Sequence, residues 1–274
     1  MFINDLTFVV FTFNEESRIE RVIQNFKPFG KVLVVDNFSI DKTVEIAKNY
    51  ECDVLMHKNK GWVEEENTVR AVKDVVLTNW IYWAFADEMI GHKELKAISD
   101  AIYSGQYDVI NICRKNYYYG VFCQDMFIAR MNRVFKKEAI DFGGNQIHGF
   151  GKVVIEKTRV KYLSKDLYVH HFISNDVKSY VNTLIRYSDI EQRKAYRNRL
   201  EIIIYCSKLF IKEFFVQGGY KAGLPGLYLI FIMIAYVFIN EVRNFEAKNK
   251  LNVTHIEKLN NRFRDNILTN IKKQ

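Results

Sequence analysis

Along the first third of the chain, continuous apolar runs give way to polar loops and then to apolar residues at helical spacing. Residues 6–11 (LTFVVF) form such a run, 12–17 are mostly polar, and Ile19, Val22, Ile23 and Phe26 share one helical face, which predicts strand, loop and amphipathic helix. The order recurs in 31–35, the loop Asp36-Asn37-Phe38-Ser39 and a helix carrying Val44, Ile46 and Ala47, with Asp41 as its N-cap. Residues 52–56 predict a third strand and 64–76 a third helix. The aromatic run 79–86 predicts a fourth strand, buried on both faces, before a helix at 92–103. Strands and helices in this alternation build a parallel sheet with right-handed crossovers.

From Tyr107 the rhythm changes. Residues 107–112, 116–120, 127–135, 153–155 and 167–172 read as short strands and hairpins with no long helix between them, a mixed-sheet extension supplying the acceptor side of a cleft. Two helical patterns follow, over 177–187 and 200–216. Residues 222–240 then carry no charge, but Gly223, Pro225 and Gly226 interrupt their start. Discounting that turn leaves about thirteen residues, roughly 20 Å of helix against a hydrocarbon core of about 30 Å. Basic residues flank the segment on both sides, so the expectation is an interfacial helix packed partly against 200–216, not a crossing one.

With 274 residues and 49% hydrophobic content the chain can fill one large core and carry an appendage. Two prolines and thirteen glycines agree with mostly regular structure. A net charge of +8 calls for an anionic partner, and on charge alone nucleic acid, a nucleotide and an anionic membrane surface all qualify. Cys52, Cys113, Cys123 and Cys206 have neither zinc-finger nor disulfide-framework spacing, which suits a reducing compartment. The chain enters a strand pattern at once, without a basic-then-apolar leader, so its catalytic part is expected in the cytoplasm.

Three strand ends carry polar clusters: Thr12/Asn14/Glu15, Asp36/Ser39/Asp41 and Asp87/Glu88. In a parallel sheet these ends share one edge, where open α/β sheets bind ligands. A carboxylate there can take a hard cation and, through it, a diphosphate. Alone, Asp87 and Glu88 read equally as a polar turn, Asp36 and Asp41 as an Asx-turn and a helix cap, and one of His170 and His171 as structural. The chain has no Gly-x-Gly-x-x-Gly after its first strand and no Gly-x-x-x-x-Gly-Lys-Ser/Thr, which disfavours a Rossmann dehydrogenase or a P-loop enzyme.

Taken together, Thr12-Phe13-Asn14-Glu15-Glu16, 34–43 (VVDNFSIDKT) and Ala86-Asp87-Glu88 resemble the ordered motifs of glycosyltransferase family 2, the inverting nucleotide-sugar enzymes of GT-A fold. His171, Arg186-Tyr187-Ser188 and 218–226 are similar to its lipopolysaccharide and lipooligosaccharide core branch. The resemblance implies an α/β chain with a GT-A-like, mixed but mostly parallel sheet over 1–175 and a C-terminal helical, membrane-associating region over 176–274. It implies that Thr12, Asn14, Glu15, Asp36 and Asn67 bind the nucleotide sugar, with Asp36 at the base. Asp87 would chelate a divalent metal, Mg²⁺ or Mn²⁺, with His171 as second ligand or diphosphate contact. The expected partners are a nucleotide-sugar donor, a glycan or lipid-linked acceptor and the cytoplasmic face of an anionic membrane, and not nucleic acid.

Two positions depart from the family pattern. Phe85 stands where the first acidic residue of Asp-x-Asp is expected, and Gly149 where a glutamate follows the histidine at 148. His148, Glu88 and Asp141 are therefore the candidate catalytic bases. A nucleotidyltransferase and a catalytically impaired scaffold that binds nucleotide sugar or glycan are the competing readings.

Overall fold

The protein is described from a computed structural model covering residues 1–59, 65–122, 125–143, 145, 150–190 and 197–271. Strands β1 (Leu6–Thr12), β2 (Lys31–Asp36), β3 (Asp53–Met56) and β4 (Trp80–Phe85) lie parallel in the order β3-β2-β1-β4. Helices α1 (Ile19–Phe26), α2 (Thr43–Asn49) and α3 (Glu66–Val75) connect them. After β4 the chain turns at Ala86-Asp87 into the short β5 (Glu88–Ile90) and then α4 (His92–Tyr103).

The second half extends the sheet. β6 (Val109–Tyr118), β7 (Val121–Phe122), β8 (Ala129–Lys136), β11 (Val160–Tyr162) and β12 (Tyr168–Ser174) join it, while β9 (Ile140–Asp141) and β10 (Lys152–Val153) form a separate two-stranded sheet. β8 is antiparallel to both β4 and β6, β12 runs parallel to β6, and β5 returns antiparallel on β12. The mixed extension read from 107–172 is thus present, but the apolar runs at 107–112 and 116–120 belong to one ten-residue strand and its turn.

Alternation along the strands divides the core. Phe8, Val10, Tyr82 and Ala84 pack with α1 and α4 on one face, and Val9, Val35, Ile81 and Trp83 pack with α3 and Phe142 on the other. Because the central strands are covered on both sides, they read as continuous apolar runs. A third cluster joins the sheet to the C-terminal helices: Tyr118 and Met126 pack with Tyr180 and Leu184 of α5 (Val177–Ile190) and with Leu229 and Ile230 of α7 (Leu224–Lys248).

α6 (Arg199–Phe210) begins in a capping box of Asn198 and Glu201 and continues into a π-helical segment, Ile211–Val216. α7 corrects a sequence expectation. It is 25 residues long, with Pro225 in its first turn, so the Gly/Pro cluster starts the helix where a missing N–H costs nothing. Its packing face carries Gly226, where a Cβ would stand 2.3 Å from the Gly219 carbonyl oxygen. Among the described residues it is the one helix long and apolar enough to cross a membrane, with a mean hydropathy of 1.8 over its most apolar window. A last helix, α8 (Val253–Ile271), has no buried residue.

Candidate active site

The register brings the three polar strand ends together. Thr12 pairs with Asp36 across β1 and β2, and Phe11 with Phe85 across β1 and β4, so the loops after all three strands open at one edge. The first two loops are laced to each other. Asp36, 0% exposed, accepts hydrogen bonds from the Thr12 hydroxyl at 2.9 Å, the Ser39 hydroxyl at 2.6 Å and the Ser39 N–H at 2.7 Å. Asn14, in the left-handed region at φ 55°, donates its N–H to Ser39 Oγ and accepts from the Ile40 N–H. Asp41 accepts from the Thr43 and Glu16 N–H groups, and Thr43 Oγ1 accepts from the Glu15 N–H. Asp36 therefore organises the loops from beneath, as its Asx-turn reading anticipated, while Asn14 and Glu15 stand nearer the surface.

The Glu15 carboxylate takes a bidentate pair from Arg18, at 2.7 and 3.0 Å. Burial pushes its pKa up, Arg18 opposes this, and the Asp87 charge adds to the rise. Asn67 occupies the first turn of α3, exposed, and accepts from Arg70 at 3.1 Å. His148 and Gly149 lie outside the described residues. Asp141, exposed on β9, accepts from the Gly143 N–H at 2.8 Å.

Asp87 occupies the turn between β4 and β5, pinned by its carbonyl accepting from the Phe172 N–H at 2.9 Å. That contact with β12 brings in the histidine: His171 Nε2 stands 3.2 Å from Asp87 Oδ2, and His171 Nδ1 2.7 Å from Asn116 Oδ1 on β6. Burial works to raise the Asp87 pKa, but His171, Arg18 and Arg114 outweigh it and hold the carboxyl at about 2. Glu88, its neighbour, is 0% exposed and forms an ion pair with the equally buried Arg133, with Arg114 at 3.5 Å. The geometry makes Glu88 an anchor under the Asp87 turn. Its Oε1 contacts are guanidinium groups.

One atom from each of Asp87, Glu88 and His171 fits within a 4.8 Å cluster. Asp87 Oδ1 and Glu88 Oε2 are both buried without a hydrogen-bond partner. Two orphaned carboxylate oxygens beside an imidazole nitrogen form the hard-oxygen and nitrogen donor set that suits Mg²⁺ or Mn²⁺, so the residues fit a divalent ion. Phe85 does not extend this set. Its ring lies against the Arg133 guanidinium, 5.1 Å from the centroid.

Sequence reasoning missed Arg18, Arg114, Arg133 and Asn116. Each meets the site through a turn or a strand pairing distant in sequence, and none ends an apolar run.

A mostly parallel sheet with a metal-competent carboxylate at its carboxyl edge, extended by antiparallel strands, is a GT-A-like α/β arrangement. The family model "Glycosyl transferase family 2" matches residues 7–151, and the chain belongs to that family. It is 26% identical over 270 residues to the uncharacterized glycosyltransferase RP128 of Rickettsia prowazekii, covering 90% of this chain and 89% of the relative. It is also 25% identical over 263 residues to the uncharacterized glycosyltransferase RT0209 of Rickettsia typhi, covering 89% and 88%. Among solved structures it is similar to the mannosyltransferase PcManGT of Pyrobaculum calidifontis in complex with GDP-Man and Mn²⁺. There the TM-score is 0.50 at 14% identity, over 89% of this chain and 88% of that one, a likeness of fold.

Proposed function

We propose that this glycosyltransferase is inverting and metal-dependent, and that it moves a sugar from a nucleotide-sugar donor to a lipid-linked or cell-envelope glycan acceptor, in lipopolysaccharide, lipooligosaccharide or capsule synthesis. The observation that carries the reading is the Asp87–His171 pair at the carboxyl edge of a family 2 sheet, with orphaned carboxylate oxygens beside it. Asn14 and Glu15 line the nucleotide pocket, Asn67 borders it, and Thr12 and Asp36 hold its floor. Asp87, His171 and Glu88 Oε2 would hold a divalent cation, which would supply charge neutralisation for the leaving diphosphate. Arg18 and Arg114, which already favour the Asp87 anion, add positive charge at the same point. The Mn²⁺ and GDP-Man in the similar mannosyltransferase support this donor class.

Inversion needs one base to take the acceptor hydroxyl's proton as the new glycosidic bond forms and the bond to the diphosphate breaks. Glu88 is held by two arginines, which leaves His148 and the exposed Asp141 for the role. Family membership argues against the nucleotidyltransferase alternative.

Membrane attachment at the cytoplasmic face completes the reading. Residues 1–175 contain 23 basic and 23 acidic side chains and residues 176–274 contain 17 and 9, so the entire +8 belongs to the helical region. Along α7, Leu224, Tyr228, Phe231, Ala235, Phe238 and Val242 form an exposed stripe at alternating spacings of four and three. α6 and the π-helical segment add exposed Leu200, Ile203, Ile211 and Phe215. A second copy would bring like charge to this face, whereas an anionic bilayer complements it at about 1 kcal/mol per basic group. The functional division is therefore catalysis in 1–175 and docking in 176–274, with 222–240 at its centre.

The test is hydrolysis of uridine, guanosine and cytidine nucleotide sugars with and without Mn²⁺. The reading expects one donor class to release its nucleotide in a Mn²⁺-dependent way that Asp87→Asn abolishes. Donor binding without turnover under every condition would favour the scaffold reading, and turnover indifferent to chelation would remove the metal from it.

A further inference from the structure

Glu213 is a buried carboxylate that no step of the proposed chemistry uses. It sits in the π-helical segment at 1% exposure, while its neighbours Ile211, Phe215 and Val216 face outward. A widened helical turn is a common mark of a functional position. Here it turns one acid inward: Glu213 Oε2 accepts from the Phe127 N–H at 2.8 Å, and Oε1 meets Lys212 Nζ at 2.7 Å.

Phe127 is held from its other side as well. Its carbonyl accepts from Asn116 Nδ2 at 3.0 Å, and Asn116 Oδ1 meets His171 Nδ1 at 2.7 Å. Phe127 adopts φ 51°, a left-handed conformation unfavourable for a bulky residue. Such strain persists where the surroundings over-determine it, and here both backbone polar groups of Phe127 are held by buried partners. The loop is also clamped sterically, since a Cβ on Gly219 would lie 2.6 Å from Met126 Sδ and 2.8 Å from the Glu213 carbonyl oxygen.

The direction of each bond follows from its neighbour. The Phe127 carbonyl only accepts, so the Asn116 amide must turn Nδ2 toward it and Oδ1 toward His171. Oδ1 only accepts, so His171 Nδ1 must carry the proton. In the neutral ring this leaves the Nε2 lone pair aimed at Asp87 Oδ2, 3.2 Å away. Two acceptors facing each other require a cation between them or a second proton on the ring. A metal-ligating histidine is commonly fixed in this way through its other nitrogen.

We infer that Asn116 and, behind it, Glu213 are positioning residues that hold the His171 imidazole in the Nδ1–H form with Nε2 directed at Asp87. The inference rests on the reading of Asp87 and His171 as metal ligands. It also ties that centre to the helical segment whose outer side forms the exposed apolar face.

The experiment uses the full chain in nanodiscs and two readouts. Long-range ¹H–¹⁵N spectra report which ring nitrogen of His171 is protonated, with the signal assigned by its loss in His171→Gln. Titration with Mn²⁺ under electron paramagnetic resonance reports affinity. Wild type should carry a proton on Nδ1 throughout, alone with Mg²⁺ bound and together with Nε2 in the metal-free protein. Asn116→Leu and Glu213→Ala should lose that fixed pattern and weaken Mn²⁺ binding by roughly ten- to a hundredfold. Glu213→Gln should stay near wild type, because an amide oxygen still accepts from the Phe127 N–H. Leu184→Ala, a cavity variant in the same cluster, should lower the melting temperature and leave both readouts alone. A wild-type ring protonated at Nε2 but not at Nδ1, or an unchanged ring and affinity in Asn116→Leu, overturns the inference. An affinity loss in Leu184→Ala equal to that in Glu213→Ala overturns the part assigned to Glu213. If wild type lacks a Mn²⁺ site sensitive to Asp87→Asn, the metal reading fails, and the ring spectra still decide the positioning role.

Discussion

His171 Nε2 stands 3.2 Å from Asp87 Oδ2, a contact made between the strand that closes the sheet extension and the turn that ends its fourth parallel strand. The two residues are joined because β12 donates the Phe172 N–H to the Asp87 carbonyl, which fixes the backbone before the side chains meet. The carboxyl held at about 2 is therefore anionic at any pH at which a nucleotide sugar is handled. Asp87→Asn keeps the shape and removes the charge. It is expected to lower kcat for Mn²⁺-dependent transfer on the order of a thousandfold, with the far-ultraviolet circular dichroism spectrum unchanged. Unchanged turnover and Mn²⁺ affinity would refute the site.

Phe85→Asp restores an acid at the first position of the family's Asp-x-Asp, and from sequence it is expected to raise metal affinity. The surroundings argue otherwise. The Phe85 ring lies against Arg133, which is fully buried and pairs with Glu88. A new carboxylate beside that guanidinium would pair with it and leave Glu88 underserved, a rearrangement costing about 1–3 kcal/mol. Calorimetry should give a Mn²⁺ affinity no tighter than wild type together with a lower melting temperature.

Asp36→Ala separates organiser from base contact. The substitution leaves the Thr12 hydroxyl and the Ser39 N–H without their buried acceptor, which should cost about 1–3 kcal/mol of stability. Nucleotide affinity should fall too, because the loop bearing Asn14 loses its support. Melting and nucleotide titration on the same sample test the pair, and a fall in affinity at unchanged stability would favour direct contact with the base.

Asp108 supplies a pH signature independent of the site. A hydrogen bond from Arg159, opposed by burial and aided by Lys136, lowers its pKa from 3.8 to about 2. A depressed carboxyl contributes stability above its unfolded value and loses it as pH falls through the folded one. The contribution, held to about 1 kcal/mol by solvent screening of the partly exposed Arg159 and Lys136, should thus be complete above 3.8 and gone by about 2. Urea denaturation of wild type and Asp108→Asn across that range should give curves that converge at the acid end.

How much of this was legible depended on whether the signal was local. β1, β2 and β4 are covered on both faces and read as apolar runs, so their polar ends, Asp87 among them, stood out. Glu88 carried the same signal as Asp87, yet the next step of the chain carries it into β5 and under two arginines. Only the β4–β8 and β6–β12 pairings bring Arg133, Arg114 and Asn116 near, and periodicity holds no trace of such partners. α7 was misjudged because Gly223, Pro225 and Gly226 look like an interruption when they are a start. α8 has apolar residues at helical spacing but no buried face to declare it.

The last prediction concerns how α7 meets the membrane. Its length no longer forbids a span, since 25 residues at about 1.5 Å each exceed the hydrocarbon core. Position argues against one: Leu229, Ile230 and Tyr236 are buried against α5 and the sheet extension, and Glu241 is buried in an ion pair with Arg197. A helix so engaged on one side presents only its outer stripe to lipid, which is the arrangement of a helix lying in the interface. Truncation after Gln217 would strip Leu229 and Ile230 from that cluster, so the cleaner variant is Phe231→Glu with Phe238→Glu, both on the exposed stripe. Pelleting with anionic vesicles should fall at least tenfold in the double variant, while nucleotide-sugar hydrolysis in solution persists. In sealed inverted vesicles, protease should reach both the N-terminal domain and the tail beyond Glu241. Protection of that tail while the N-terminal domain is cut would mean that α7 crosses the bilayer.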